Sequence, residues 1–230
     1  VSTLAGAGGV VDDDGAGAAA SFVDMDGIAP HPEGGWLVAD DCMLRRVLLD
    51  GTVSTFAGGE NGFAHGLGVA ARFGSIRGIA SHPDGGWLVA DNGNDRLRRV
   101  LLDGTVSTLA GSGESTSSDG IGADASFEDL DVVAIDGSRH AVVVEYEKVR
   151  VVNIDTAQVT TLAGGGESTG VCLAADASFG CLSSVAIDND GSVLITDTNV
   201  NQIFRITGTG VVAPAEPAAP PEVAAPHPLA

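Results

Sequence analysis

The chain has 230 residues, 44% of them hydrophobic, and 31 acidic against 11 basic side chains give a formal net charge of −20. That is enough apolar material for one or two domains with a core, and too much for a disordered chain. No run of about 18 apolar residues is present to span a bilayer as a helix. So acidic a surface repels phosphate backbones and anionic lipid heads, which argues against nucleic-acid and membrane-surface partners.

In chain order, the first recognisable phrase is VSTLAG at Val1–Gly6. It returns as VSTFAG at Val53–Gly58, VSTLAG at Val106–Gly111 and VTTLAG at Val159–Gly164, at start-to-start intervals of 52, 53 and 53 residues. A fixed period of this size marks a repeat architecture. After each of the first three phrases comes the same order of pieces. In the first unit a glycine-rich loop, Ala7–Ser21, leads to Phe22. A short strand near residue 27, the turn from His31 and the apolar run Trp36–Ala39 follow. The second unit is the most regular. Its loop Gly59–Arg72 precedes Phe73, then Ile76–Ser81, the turn His82–Gly86, Trp87–Asp91, the polar loop Asn92–Asp95, Arg96–Leu102 and the turn Asp103–Thr105. The third unit has its loop at Ser112–Ser126, Phe127, a strand near residue 132 and the run Ala141–Val144. The fourth has its loop at Gly165–Ser178, Phe179, a strand near 184 and the run Val193–Thr196.

Each piece is strand-length and each break carries turn chemistry. Pro-Asp-Gly-Gly and Asp-Gly are hairpin signals, because glycine supplies the positive φ that such turns require. No stretch shows a helical period with caps. One unit therefore reads as four short strands, a to d. Strand b is apolar on both faces, as a strand between two layers must be. Strand c mixes Leu97 and Val100 with Arg98 and Arg99, and strand d alternates, so burial is expected to fall from b to d.

Four-stranded antiparallel units at this period define a β-propeller, an all-β fold in which each sheet is a blade packed on its neighbours. The propeller is expected over residues 1–212, with blades at about 22–58, 73–111, 127–164 and 179–213. Phe22, Phe73, Phe127 and Phe179 read as plugs between blades, and Trp36 and Trp87 as core residues opening strand b. Val1–Ala5 is an outer strand with no blade of its own, a candidate to complete the last blade and close the ring. The segment 213–230 holds six of the nine prolines and reads as a disordered tail or linker. The chain opens without Met inside a repeat, which reads as a fragment or processed product and leaves the compartment open.

The residues Gly78–Val100, GIASHPDGGWLVADNGNDRLRRV, resemble an NHL repeat. They share its Pro-Asp-Gly turn, apolar strand ending in Ala-Asp, Asn-Gly-Asn-like loop and Arg before an aliphatic residue. Asp197–Ile206 is similar. The first unit lacks two loop residues after Asp40, and the third has Glu145 in place of the Asp and no Asn-Gly loop. The resemblance covers roughly residues 1–212. It implies a propeller used as a protein- or RNA-binding module, a sensor or, in a minority, an enzyme. NHL propellers usually have six blades, sometimes five, so four units imply a partial propeller or an unusually small one.

The sequence names no reaction. Asp40, Asp91, Glu145 and Asp197 end strand b on the loop-rich face. A channel ringed by these carboxylates could hold Ca²⁺; alternatively each caps its own b–c loop by accepting backbone N–H bonds. The repeated pattern favours capping. The Asp14–Ala20 and Asp119–Ala125 segments look like a dinucleotide fingerprint but neither follows a parallel strand nor opens a helix. His31 and His82 read as turn residues and His65 as a loop residue standing where other units carry Asp. Three cysteines are too few for a disulfide scaffold, and no Cys/His quartet suggests zinc. Cys172 and Cys181 could close a small disulfide in an oxidising compartment or remain two thiols. The favoured expectation is a non-enzymatic propeller that presents its loops to a protein, peptide or glycan. The alternative is a metal-dependent lyase or lactonase-like hydrolase using the central channel.

Overall fold

The computed structural model describes residues 1–9, 11–168 and 173–211. It is an all-β, four-bladed propeller of antiparallel sheets. The first blade contains β1 (Gly15–Ala16), β2 (Met25–Pro30), β3 (Trp36–Asp40), β4 (Met43–Val47) and β5 (Thr52–Gly58). The second contains β6 (Gly66–Leu67), β7 (Ile76–Ser81), β8 (Trp87–Asp91), β9 (Arg96–Val100) and β10 (Thr105–Ala110). The third contains β11 (Gly120–Ile121), β12 (Val132–Ile135), β13 (His140–Val144), β14 (Lys148–Asn153) and β15 (Gln158–Gly164). The fourth contains β16 (Leu182–Ile187), β17 (Val193–Asp197) and β18 (Gln202–Ile206). Helical structure is confined to single 3₁₀ turns. The expected tail, 213–230, and Cys172 with its possible bond to Cys181 lie outside the described residues.

In the first three blades the second strand of the hairpin is buried on both sides, and its alternation assigns its residues to one of two cores. Trp87 and Val89 join Leu37, Leu44 and Phe73 between the first and second blades. Leu88 and Ala90 join Phe127, Leu130 and Val143 between the second and third. Val142 and Val144 join Phe179, Leu182 and Ile195 between the third and fourth. Phe73, Phe127 and Phe179 thus lie between blades, with Phe73 and Phe127 fully buried. Trp87 is buried as well and donates Nε1–H to the Pro30 carbonyl of the previous blade (3.1 Å). Phe22 and Trp36 pack against a smaller cluster of the first blade and are only partly buried.

The repeated phrase forms the outer strand of the first three blades. Its Val and Ala are buried, its Leu or Phe is a bulge, and its Gly ends the strand or directly follows it. That Gly is required: at Gly58 φ is +83°, and a Cβ would lie 2.9 Å from the Phe73 ring and 2.4 Å from the Cys42 carbonyl oxygen. The plug and the phrase are therefore one device.

Two features lie beyond the four-strand expectation. The glycine-rich loops contribute two-residue strands, β1, β6 and β11, on the outer edge of β5, β10 and β15. The fourth sheet has three strands among the described residues, and Val1–Ala5 enters no ladder there.

Candidate functional site

The four carboxylates that end strand b are all buried. In the first three blades each meets a fully buried guanidinium from the next strand. Arg45 Nη1 donates to Asp40 Oδ2 at 3.0 Å, Arg98 Nη1 to Asp91 Oδ2 at 2.7 Å, and Arg150 Nη1 to Glu145 Oε1 at 2.5 Å. Each guanidinium also sits by its blade's plug ring, at 5.5 Å from Phe22, 5.3 Å from Phe73 and 5.7 Å from Phe127. This corrects the expected gradient of burial, since the arginines of strand c are among the most enclosed side chains in the molecule. A guanidinium can be buried because its donors match carboxylate and carbonyl oxygens in one plane. In the fourth blade Phe204 stands at this position and packs edge-on against Phe179, ring centroids 5.2 Å apart.

The carboxylates also accept backbone N–H bonds. Asp40 takes those of Val23 and Asp24, and Asp91 that of Gly74. Asp197, lacking an arginine, takes those of Gly180, Cys181, Asn199 and Val200. Burial pushes the Asp197 carboxyl up, but these four donors outweigh it and hold it below its ordinary value. Burial pushes Asp91 and Glu145 up, against the lowering by their partners. Of the capping expected at each b–c loop, only Asp197 accepts backbone N–H bonds from its own loop; Asp40 and Asp91 accept them from the segment before strand a, and Glu145 accepts from Ser117 and Arg150. The structure does not gather them around an ion: among the described residues, no group of three or more His, Cys, Asp or Glu could hold a metal.

The loop aspartates complete the same device. Asp14 bonds Arg45 at 2.8 Å, and Asp119 bonds Arg150 at 2.8 Å. Asp14 and Asp119 also accept from the Thr55 and Thr161 hydroxyls of the outer strand. His65 replaces this Asp in the second blade. It meets Thr108 instead, and Arg98 donates to the Ala64 carbonyl. The segments resembling a dinucleotide fingerprint are therefore latches for strand d. On the opposite face, His31 and His82 close their turns by accepting the N–H two residues on. Arg46 and Arg99 clamp those turns through carbonyls, including Gly34 and Gly85.

The third blade differs in carrying Glu145 where the others have Asp, followed by Tyr146–Glu147; this connection is as short as Asp41–Cys42 of the first blade and lacks the 3₁₀ turn Asn92–Asn94 of the second. A half-open pocket of about 240 Å³ lies there, lined by Ser117, Glu128, Glu145, Tyr146, Glu147 and Lys148. Ser117 donates its hydroxyl to Glu145, and Arg150 donates to Ser117 Oγ at 2.9 Å. Lys148 Nζ lies 3.4 Å from the Ser117 carbonyl. The floor is thus fixed by buried charge, while Tyr146, Glu128 and Glu147 stand exposed at the rim. Reading residue types alone missed this site. Its signal was the degeneracy of the third unit, together with the chain's single lysine.

No protein-family model and no curated protein sequence matches the chain. Solved structures share its fold. An auxiliary nutrient binding protein from Bacteroides ovatus aligns at a TM-score of 0.63 and 19% identity over 81% of this chain and 48% of that one. A gluconolactonase-like protein aligns at 0.57 and 13% identity over 87% and 63%. The extracellular domain of a hybrid two-component system from B. thetaiotaomicron aligns at 0.55 and 14% over 84% and 22%. The chain thus spans less than two thirds of the length of each. At these identities the likeness defines the class of fold, a β-propeller.

Proposed function

We propose that this chain is a non-enzymatic binding propeller of the NHL type, and that it receives a protein, peptide or glycan at the third-blade pocket. The observation carrying the reading is the contrast between blades. The strand-ending carboxylates are engaged by a guanidinium, by backbone donors or by both, which leaves them little capacity for a metal or an acid–base step. The third blade instead turns a tyrosine face, two exposed carboxylates and an ammonium toward an open pocket. An aromatic body with polar groups placed around it suits a ligand with an apolar face and hydrogen-bonding edges. The strong negative charge works against nucleic acid and anionic lipid. The engagement of the strand-ending carboxylates within their own blades supports the binding reading over a lyase or lactonase.

The test is a panel of peptides and glycans displayed on a surface and probed with the wild-type chain and with Tyr146→Ala. Selective retention by the wild type, lost in the variant while its melting curve is unchanged, is the expected result. No retained ligand, or retention indifferent to Tyr146, contradicts the proposal.

A further inference from the structure

Every contact between neighbouring blades is built from the same parts. The trailing face of one blade offers a strand-c residue, Leu44, Leu97 or Val149, and the leading face of the next offers its plug and strand-a aliphatics. A fourth set of these parts exists, divided between the two ends of the molecule. On the fourth blade Ile203 takes the place of Leu97 and is 75% exposed, whereas Leu97 is 0% exposed. On the first blade Ile28 takes the place of Ile79 and is 63% exposed, against 8%. Among the described residues, no core cluster joins these two faces within one chain.

The backbone is divided in the same way. β18 has a ladder partner, β17, on one side only among the described residues. Val1–Gly6 carries the phrase that covers that edge in the other three blades. It is already seated on the first blade as the phrase is seated on the third: Gly6 N–H donates to the Gly17 carbonyl at 3.0 Å and Ala7 N–H to Ala20 at 2.8 Å, matching Gly111 to Gly122 and Ser112 to Ala125. The register of the second blade, Val106 opposite Val100 and Ser107 opposite Arg99, carries over to Val1 opposite Ile206 and Ser2 opposite Arg205.

We infer that this chain associates head to tail with a second copy of itself. The fourth blade of one copy packs on the first blade of the next, and Val1–Ala5 of that copy completes the open sheet by adding a strand to β18. The contact is heterologous: each copy gives one face and receives the other. It continues an interface that the molecule already makes three times. The net charge of −20 opposes assembly, so added salt strengthens it by screening repulsion between copies while leaving the apolar contact intact.

The test is sedimentation velocity over a wide range of protein concentration and salt, with Ile28→Asp and Ile203→Asp. Both positions are exposed in the single chain, so both variants retain the fold. The wild type is expected to associate reversibly, and more strongly in salt. Each variant alone weakens association about tenfold or more. An equimolar mixture of the two recovers a dimer and nothing larger, because each variant keeps the face that the other has lost. A wild type that stays monomeric throughout overturns the inference, whether the ends meet within one chain or stay open. So does association unaffected by either substitution, or a mixture that fails to pair.

Discussion

At the scale of single residues, the molecule invests buried charge in holding its loops. Arg98 is enclosed between the Asp91 carboxylate, the Phe73 ring and the Ala64 and Arg72 carbonyls. Removing one partner of such a pair strands the other without water. Arg98→Ala is therefore expected to cost about 3–5 kcal/mol in a denaturant melt. Arg98→Phe is expected to cost less, since Phe204 fills the same position in the fourth blade and Asp91 retains the Gly74 N–H and Asn94 as donors. Equal losses for the two would mean that the ion pair, not the filled volume, dominates. His31 gives a second residue-scale prediction. Burial, and then the nearby Arg46, hold its pKa below 6.5, and its ring lies 5.1 Å from Trp87. The folded state binds this proton less readily than the unfolded chain. The stability His31 contributes is thus complete above pH 6.5 and lost as pH falls through its lowered value. Melts and Trp87 fluorescence should soften on acidification below 6.5, and His31→Gln should remove that component.

At the scale of elements, the strand–turn–strand order was legible because glycine-bearing turns fall at fixed places and strand b is apolar on both faces. The plugs were legible for the same reason: Phe22, Phe73, Phe127 and Phe179 recur in phase. The two-residue edge strands were not, because Gly15–Ala16 and Gly66–Leu67 are too short to show alternation and follow from the loop folding back on strand d. The buried arginines were misjudged since a charged pair inside strand c looks like a wet face. Their signal was the recurrence of Arg45, Arg98 and Arg150 a few residues after a strand-ending acid. Plug depth yields a graded prediction. Phe127→Ala should cost about 3–5 kcal/mol by chemical denaturation, and Phe22→Ala clearly less, because Phe22 is only partly covered. Equal costs would show that the first blade is covered in solution to the same extent as the third.

At the scale of the whole molecule, repetition builds the frame, and departure from repetition is where the proposal places binding. Three blades bury their strand-ending carboxylate in an ion pair, the fourth satisfies it from the backbone, and a pocket lined by Glu128, Tyr146 and Glu147 lies at the third. The four carboxylates were visible in the sequence, but their partners are an arginine of the next strand in three blades and, in the first, second and fourth blades, backbone N–H groups 16 or 17 residues earlier in the chain. Only the fold brings these together. The most direct test of the central claim is an amide NMR spectrum of the chain titrated with a peptide or glycan from the panel. The account predicts shifts concentrated at Ser117, Glu128, Tyr146, Glu147 and Lys148. Shifts centred instead on the turns of His31 and His82, or on all four strand-b carboxylates together, would contradict it.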